Sequence, residues 1–355
     1  MDSMDILFNF LEVTALAGIG AFVLILVLTP FADQLRLIDR PDARKSHASP
    51  VPMVGGLAIY LILLSGFILV DPPLKAGWFM FALTLLVITG LLDDAFGLGV
   101  KTRIAAQCCG TAVMIFGAGL SIESLGVGVQ GDGTLGMVGI CFTFFAVVGL
   151  TNGFNMADGI DGLAAGHLLV GLASLTGIQL WTVGSIYQAE WLSLLFSAVF
   201  AFWLVNMSLT PFKRVFLGDS GSLLLGFTMS WLLIYYTQAP VDRVKPVAAL
   251  WCVTLPVFDT IVVIVRRLRN KCSPFSSDRN HLHHLLVDQG VRPPVALALI
   301  MFAATILNCV GIVITYFVSD LIGLFAYCFA LLGFSYLMLH PDAERRLLRK
   351  AGLLR

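Results

Sequence analysis

The chain has 355 residues, of which 58% are hydrophobic and only 12% charged, and its formal net charge is zero. Soluble domains carry about 25% charged residues, so a water-soluble fold is excluded: this much apolar surface belongs in a bilayer. Zero net charge removes the global basic field by which nucleic acid is attracted, and no nucleic-acid partner is expected.

The first residues, Met1-Asp2-Ser3-Met4-Asp5, lack the basic stretch of a cleavable signal peptide. The apolar run at 11–31 is therefore expected to be a retained membrane helix. A basic segment follows, Arg40-Pro41-Asp42-Ala43-Arg44-Lys45-Ser46-His47. Lys45 and His47 are candidates for holding an anionic head group or lipid phosphate at the membrane surface. Gly55-Gly56 opens the second run, 53–70, and permits close helix packing.

The third run, 77–92, ends on Asp93-Asp94. Two carboxylates at a helix C-terminus face the negative end of its dipole and repel one another unless a cation, a basic partner or a shared proton intervenes. Lys101 and Arg103 follow, ahead of the run at 104–120, as phosphate binders or simply as interfacial anchors. The run at 135–152 leads into Thr151-Asn152-Gly153-Phe154-Asn155-Met156-Ala157-Asp158-Gly159-Ile160-Asp161-Gly162. Asn152, Asn155, Asp158 and Asp161 recur every third residue, which on a helix makes one slowly drifting polar stripe. Oxygen-only groups of this kind suit Mg2+, which takes one or two protein ligands and completes its shell with water and substrate phosphates.

After the runs at 163–183 and 191–209 comes Phe212-Lys213-Arg214-Val215-Phe216-Leu217-Gly218-Asp219-Ser220-Gly221-Ser222. Asp219 stands where the run 221–237 should start as a helix. It is either an N-cap or a metal ligand beside an anion site made by backbone N–H groups. Phe216 is either a stacking surface for a base or an apolar loop anchor. The run at 247–265 contains Asp259, expected to pair with a basic or polar group. Ser277-Asp278-Arg279-Asn280-His281-Leu282-His283-His284 lies in the largest basic loop. Arg279, His281, His283 and His284 could clamp a diphosphate; zinc is disfavoured because no Cys accompanies them. Runs at 294–316 and 321–339 complete eleven.

Eleven spans place the termini on opposite sides. Nineteen of the 22 Lys and Arg then fall in one set of loops, 32–52, 93–103, 153–162, 210–220, 266–293 and 340–355. The positive-inside rule makes that set cytoplasmic. The expectation is an all-α integral membrane protein, a single polytopic domain over 1–355 with about eleven transmembrane helices. Its N-terminus is periplasmic, its C-terminus cytoplasmic, and its active site is built from cytoplasmic loops. Six of the seven cysteines lie in apolar runs, as small hydrophobes rather than disulfides or zinc ligands.

Asp93-Asp94, the Asn155-to-Gly162 stretch, Gly218-Asp219-Ser220-Gly221-Ser222 and His281-Leu282-His283-His284 together resemble the polyprenyl-phosphate N-acetylhexosamine-1-phosphate transferase superfamily, and do so in order along nearly the whole chain. Ser273-Pro274-Phe275-Ser276 with Asp278-Arg279, and Arg44-Lys45-Ser46-His47, resemble its WecA branch more than its MraY branch. The resemblance implies transfer of GlcNAc-1-phosphate from UDP-GlcNAc to undecaprenyl phosphate in the bacterial inner membrane, as the first membrane step of an O-antigen or common-antigen type glycan. The alternatives are another UDP-HexNAc donor or UDP-MurNAc-pentapeptide. It implies Mg2+, with Mn2+ as a substitute, held by Asp219 and Asn155. It places Asp93 and Asp94 near the acceptor phosphate, and Asp158 and Asp161 at the nucleotide. Phe216 falls near the uracil, and Lys101 or Arg103 on a phosphate. Asn152, Arg279, His281, His283, His284, Lys45 and His47 would contact substrate. It also allows a homodimer. An ion-coupled transporter is the rival of another class, but its acids would lie near the midplane between repeats, whereas here they gather at one end.

Overall fold

A computed structural model describes residues 3–41, 49–70, 75–127, 135–184, 188–238, 241, 244–273 and 281–340. Lys45, His47 and Arg279 lie outside the described residues. The helices, in chain order, are α1 (Ser3–Leu28), α2 (Gly55–Leu69), α3 (Ala76–Phe96), α4 (Val100–Ala112), α5 (Gly136–Ala157), α6 (Leu163–Val183) and α7 (Ala189–Asn206). They continue with α8 (Gly218–Thr237), α9 (Pro246–Trp251), α10 (Thr254–Arg269), α11 (Leu282–Asp288), α12 (Pro293–Phe317) and α13 (Asp320–Leu339). A two-residue antiparallel pairing of Ile38–Asp39 with Val51–Pro52 is the sole strand ladder among the described residues.

The fold is all-α and largely membrane-spanning. Among the described residues seven helical stretches are long and apolar enough to cross a bilayer: Leu11–Phe31, Ala76–Phe96, Gly136–Ala157, Leu163–Val183, Ala189–Asn206, Pro293–Phe317 and Asp320–Leu339. Each of the eleven expected runs coincides with helix, but four are less simple. The second is an apolar helix of 15 residues. The fourth passes from α4 into a π-helical turn at Val113–Gly117. The eighth, α8, is the central element and is buried on every side from Ser220 to Trp231, as a helix apolar all round should be. The ninth is broken between Trp251 and Thr254. Pro256 has no N–H to give the carbonyl four residues back, Cys252. Asn308 of α12 supplies the replacement, its Nδ2 donating to the Cys252 carbonyl at 3.3 Å.

Small residues let α8 sit in contact with its neighbours' backbones. A Cβ on Gly56 of α2 would strike the backbone of Gly221, and one on Gly90 of α3 the backbone of Ser220. On the third side a Cβ on Gly226 would lie 2.6 Å from the Thr151 Cα of α5. Without a hydrophobic force between helices in lipid, such close packing is what holds them together. The start of α8 is further tied to the entry of α2: the N–H groups of Gly55 and Gly56 donate to the carbonyls of Phe216 and Leu217, at 3.0 and 2.9 Å, and Phe216 N–H donates to Pro52 O at 2.7 Å.

Gly90→Val should therefore force α3 off α8. We expect its apparent Tm in detergent to fall by several degrees, as for an overpacked core losing about 1–3 kcal/mol. Gly77→Ala in the same helix, where a Cβ meets nothing within 4 Å, should leave Tm unchanged. Thermal scans of the two purified variants check both.

Candidate active site

The site begins with the last turn of α3. The Asp94 carboxylate accepts the Asp219 N–H at 2.7 Å and the Ser220 N–H at 3.2 Å. The anion at the N-terminus of α8 is thus a side chain of the protein itself. Asp219 is not an N-cap; Leu217 holds that position and makes no side-chain cap bond. Gly218 adopts φ +75°, and a Cβ there would lie 2.6 Å from Asp94 Oδ2. Only glycine allows both the left-handed backbone and this approach.

Asp219 then projects toward three other helices. Asn155 Nδ2 donates to Asp219 Oδ1 at 2.5 Å and to Ser222 Oγ at 2.8 Å. Arg103 Nη1 lies 2.9 Å from Asp93 Oδ2 and 3.6 Å from Asp219 Oδ2. Asp93 is buried, 7% exposed, and also accepts the Leu98 N–H at 2.5 Å. The repulsion expected between Asp93 and Asp94 is thus relieved separately: Arg103 serves one carboxylate and backbone N–H groups the other. Arg103 is in the cluster. Lys101 is exposed and makes no ion pair among the described residues.

α5 runs five residues past its expected end, so Asn155 sits on helix and the acidic loop is confined to 158–162. Asn152 is turned to a different task. Its Nδ2 donates to Gln107 Oε1 at 2.6 Å and to Val148 O at 2.8 Å, which joins α5 to α4. Asp158 is exposed to water. Even so, enclosure by surrounding protein, and then the charges of Asp219, Asp94 and Asp161, push its carboxyl well above the usual carboxylate range. Asp161 pairs with Arg214 Nη1 at 2.6 Å, and the Arg214 guanidinium lies 5.1 Å over the Phe216 ring.

A buried amide fixes this loop against the next. Asn206 Oδ1 accepts the Gly162 N–H at 2.6 Å, and its Nδ2 donates to the Val215 carbonyl at 2.9 Å. Trp203 Nε1 donates to Gly162 O at 3.2 Å. Gly162 has φ +79° and begins α6. Sequence reasoning passed over Asn206, Gln107 and the pairing role of Arg214. The one signal for Asn206 was an isolated amide near the end of an apolar run.

The histidine cluster meets the same loop from the other side. Asp259 of α10 accepts at Oδ2 from His281 Nδ1, 2.7 Å away, and at Oδ1 from the Leu282 N–H at 2.9 Å. The expected polar partner of Asp259 is therefore His281. The rings of His281 and His283 are nearly parallel, with centroids 6.0 Å apart, and His284 lies 4.2 Å from His283. His283 Nε2 abuts Gly159, where any Cβ would collide with it. Burial, and then His284, lower the His283 pKa from 6.5 to about 3. His283 is thus neutral in the fold. The unfolded chain would take up its proton first, near pH 6.5, so the packing of α11 on the 158–162 loop loses stability as pH falls below 6.5. We expect the drop in Tm between pH 7.5 and pH 5 to be smaller in His283→Gln than in the parent protein, measured by parallel thermal scans.

The Asp93–Asp94, Asn155–Asp161, Asp219 and His281–His284 segments, scattered along the sequence, thus meet at one end of the bundle. Residues 77–237 match the model of the family described as "Glycosyl transferase family 4". The chain is similar to the undecaprenyl-phosphate alpha-N-acetylglucosaminyl 1-phosphate transferase of Escherichia coli K12, 36% identical over 311 residues that cover 86% of this chain and 84% of the relative. The enzyme of the same name from Salmonella typhimurium is 36% identical over 321 residues, 88% of this chain and 87% of the relative. That from Haemophilus influenzae is 32% identical over 299 residues, 83% and 84%. With a third of its residues identical across more than four-fifths of both partners, this chain belongs to glycosyl transferase family 4.

Proposed function

We propose that the protein is the bacterial inner-membrane enzyme that transfers GlcNAc-1-phosphate from UDP-GlcNAc to undecaprenyl phosphate and releases UMP. The observation that carries this reading is the gathering of Asp93, Asp94, Asp158 and Asp161 about Asp219 at one end of an apolar bundle, with Arg103 against Asp93 and Asp219 and Arg214 against Asp161. Similarity over most of the chain to enzymes named for this transfer supports it. The acceptor phosphate attacks the β-phosphorus of the donor, and the bond to the UMP oxygen breaks. One diphosphate linkage replaces another, so the step is nearly isoenergetic.

The donor set fits Mg2+. Five carboxylates face two guanidinium groups, those of Arg103 and Arg214, and enclosure, then the neighbouring acids, push the Asp158 carboxyl above its ordinary range. Among the described residues no three acidic, His or Cys groups form a ready-made cage, which suits an ion completed by substrate phosphates and water. Asp219 would hold it. Asn155 donates to Asp219 here, so a place as co-ligand requires its amide oxygen to turn inward. A Mg2+ held there, or Mn2+ in its place, would supply positive charge to offset that on the diphosphate.

The remaining roles are part of the same proposal. Asp94 holds the start of α8, and hence Asp219, in place. Asp93, with Arg103 against it, faces the acceptor phosphate, and Arg103 rather than Lys101 is the phosphate ligand. Asp158 and Asp161 shape the nucleotide pocket. Phe216 stacks with the base once Arg214 moves off its face. His281, His283 and His284, with Arg279, Lys45 and His47, contact the diphosphate, the sugar or the lipid phosphate. The chain acts as a single domain of eleven spans, with the N-terminus periplasmic and the C-terminus cytoplasmic.

The test is transfer by the purified protein with undecaprenyl phosphate and Mg2+, offering UDP-GlcNAc, UDP-GalNAc and UDP-MurNAc-pentapeptide separately. UMP release with UDP-GlcNAc alone is expected; turnover only with another donor would overturn the substrate. Asp219→Asn should lower kcat by about 10²-fold or more, the scale of removing one preorganised electrostatic group. Arg103→Ala should cost at least tenfold more than Lys101→Ala. A green fluorescent protein joined to the C-terminus should fluoresce in cells, and alkaline phosphatase joined there should be inactive; the reverse pattern would invert the topology.

A further inference from the structure

Asp259 lies in α10, away from the carboxylates around Asp219, and has no part in the mechanism above. Its two oxygens are nevertheless fully directed. Oδ2 faces His281 Nδ1 at 2.7 Å, and Oδ1 takes the Leu282 N–H at 2.9 Å. The His281 side chain is 5% exposed and that of Asp259 16%, so the pair is largely withdrawn from water. His281 itself has an extended backbone, φ −78° and ψ 154°, and immediately precedes α11. One carboxylate therefore fixes both the position of the backbone at this point and the orientation of the imidazole.

We infer that Asp259 is a positioning residue for the transfer reaction, holding the His281 imidazole in one orientation and one tautomer, with hydrogen on Nδ1, for its contact with the bound donor. The inference rests on the reading that His281 contacts that donor. A carboxylate accepts only, so its partner nitrogen must carry hydrogen. The proton on Nδ1 then leaves the lone pair, or the second proton, to Nε2. His283 is buried, neutral and packed on Gly159, so it shapes the loop.

A purely structural carboxylate would use only the Leu282 bond. Asp259→Asn separates the two roles. Its amide oxygen can still accept from the Leu282 N–H, but its amide nitrogen would face Nδ1 as a donor and drive the ring proton to Nε2. We expect kcat to fall about 10- to 100-fold, the scale seen when an orienting partner is removed, with the KM for undecaprenyl phosphate and the apparent Tm little changed. In an His281→Ala background the same substitution should change kcat less than about twofold, because residues that act through one group are not additive. Histidine-selective 15N NMR of the protein in detergent, with the His281 signal assigned by its loss in His281→Ala, should show hydrogen on Nδ1 in the parent and on Nε2 in Asp259→Asn.

Undiminished kcat in Asp259→Asn, or an equal loss in the His281→Ala background, would overturn the inference. So would a parent spectrum with the His281 proton on Nε2 alone, a result that holds even if Asp259→Asn fails to fold. Normal turnover by His281→Ala would instead remove His281 from the active site, and with it the reading on which the inference stands.

Discussion

The Asp94 carboxylate, seated on the first N–H groups of α8, is the interaction on which the rest of the site depends. A helix begins with N–H groups that its own turns cannot satisfy. In this protein they are answered by the C-terminal turn of α3, 125 residues earlier in the chain. The arrangement opposes the negative end of one helix dipole to the positive end of another, with a charge between them. It also sets how near α3 and α8 approach, and that explains Gly90 against Ser220 and the left-handed Gly218. Asp219 leaves α8 at the one place where Asn155, Arg103 and Asp93 can all reach it.

The same device appears a second time. Asp259 of α10 accepts the N–H of Leu282, the first residue of α11, as Asp94 accepts those at the start of α8. In both cases a carboxylate on one helix anchors the start of a later one. The acids along this chain are therefore not one class. Asp94, Asp161 and Asp259 are engaged by backbone N–H groups, a guanidinium or an imidazole. Asp158 is crowded by other acids. Asp219 stands between the two classes, taking a bond from Asn155 and lying near Arg103 while facing Asp93 and Asp158.

Asn206 does comparable work without charge. Its amide oxygen holds Gly162 and its amide nitrogen holds Val215, so the acidic loop and the segment before Asp219 are spaced by one side chain. Buried where neither bond could be replaced by water, such a group is costly to lose.

That the chain belongs in a membrane, and where its helical runs lie, was legible in the amino-acid sequence alone. These depend on local composition: a bilayer demands long apolar stretches with internally satisfied backbones, and acids are too costly there to be scattered. Helix ends were less legible. α5 runs past the loop expected at 153, because its polar stripe continues the helical period and finds partners in Asp219 and Gln107. Only the tertiary structure decided what each group is used for. Asp219 read equally as a cap or a ligand, Lys101 could not be told from Arg103, and the partner of Asp259 was open. Asn206 carried almost no signal. Those choices turn on pairings between residues 9 to 126 positions apart. Such pairings depend on how helices cross, which no local period encodes.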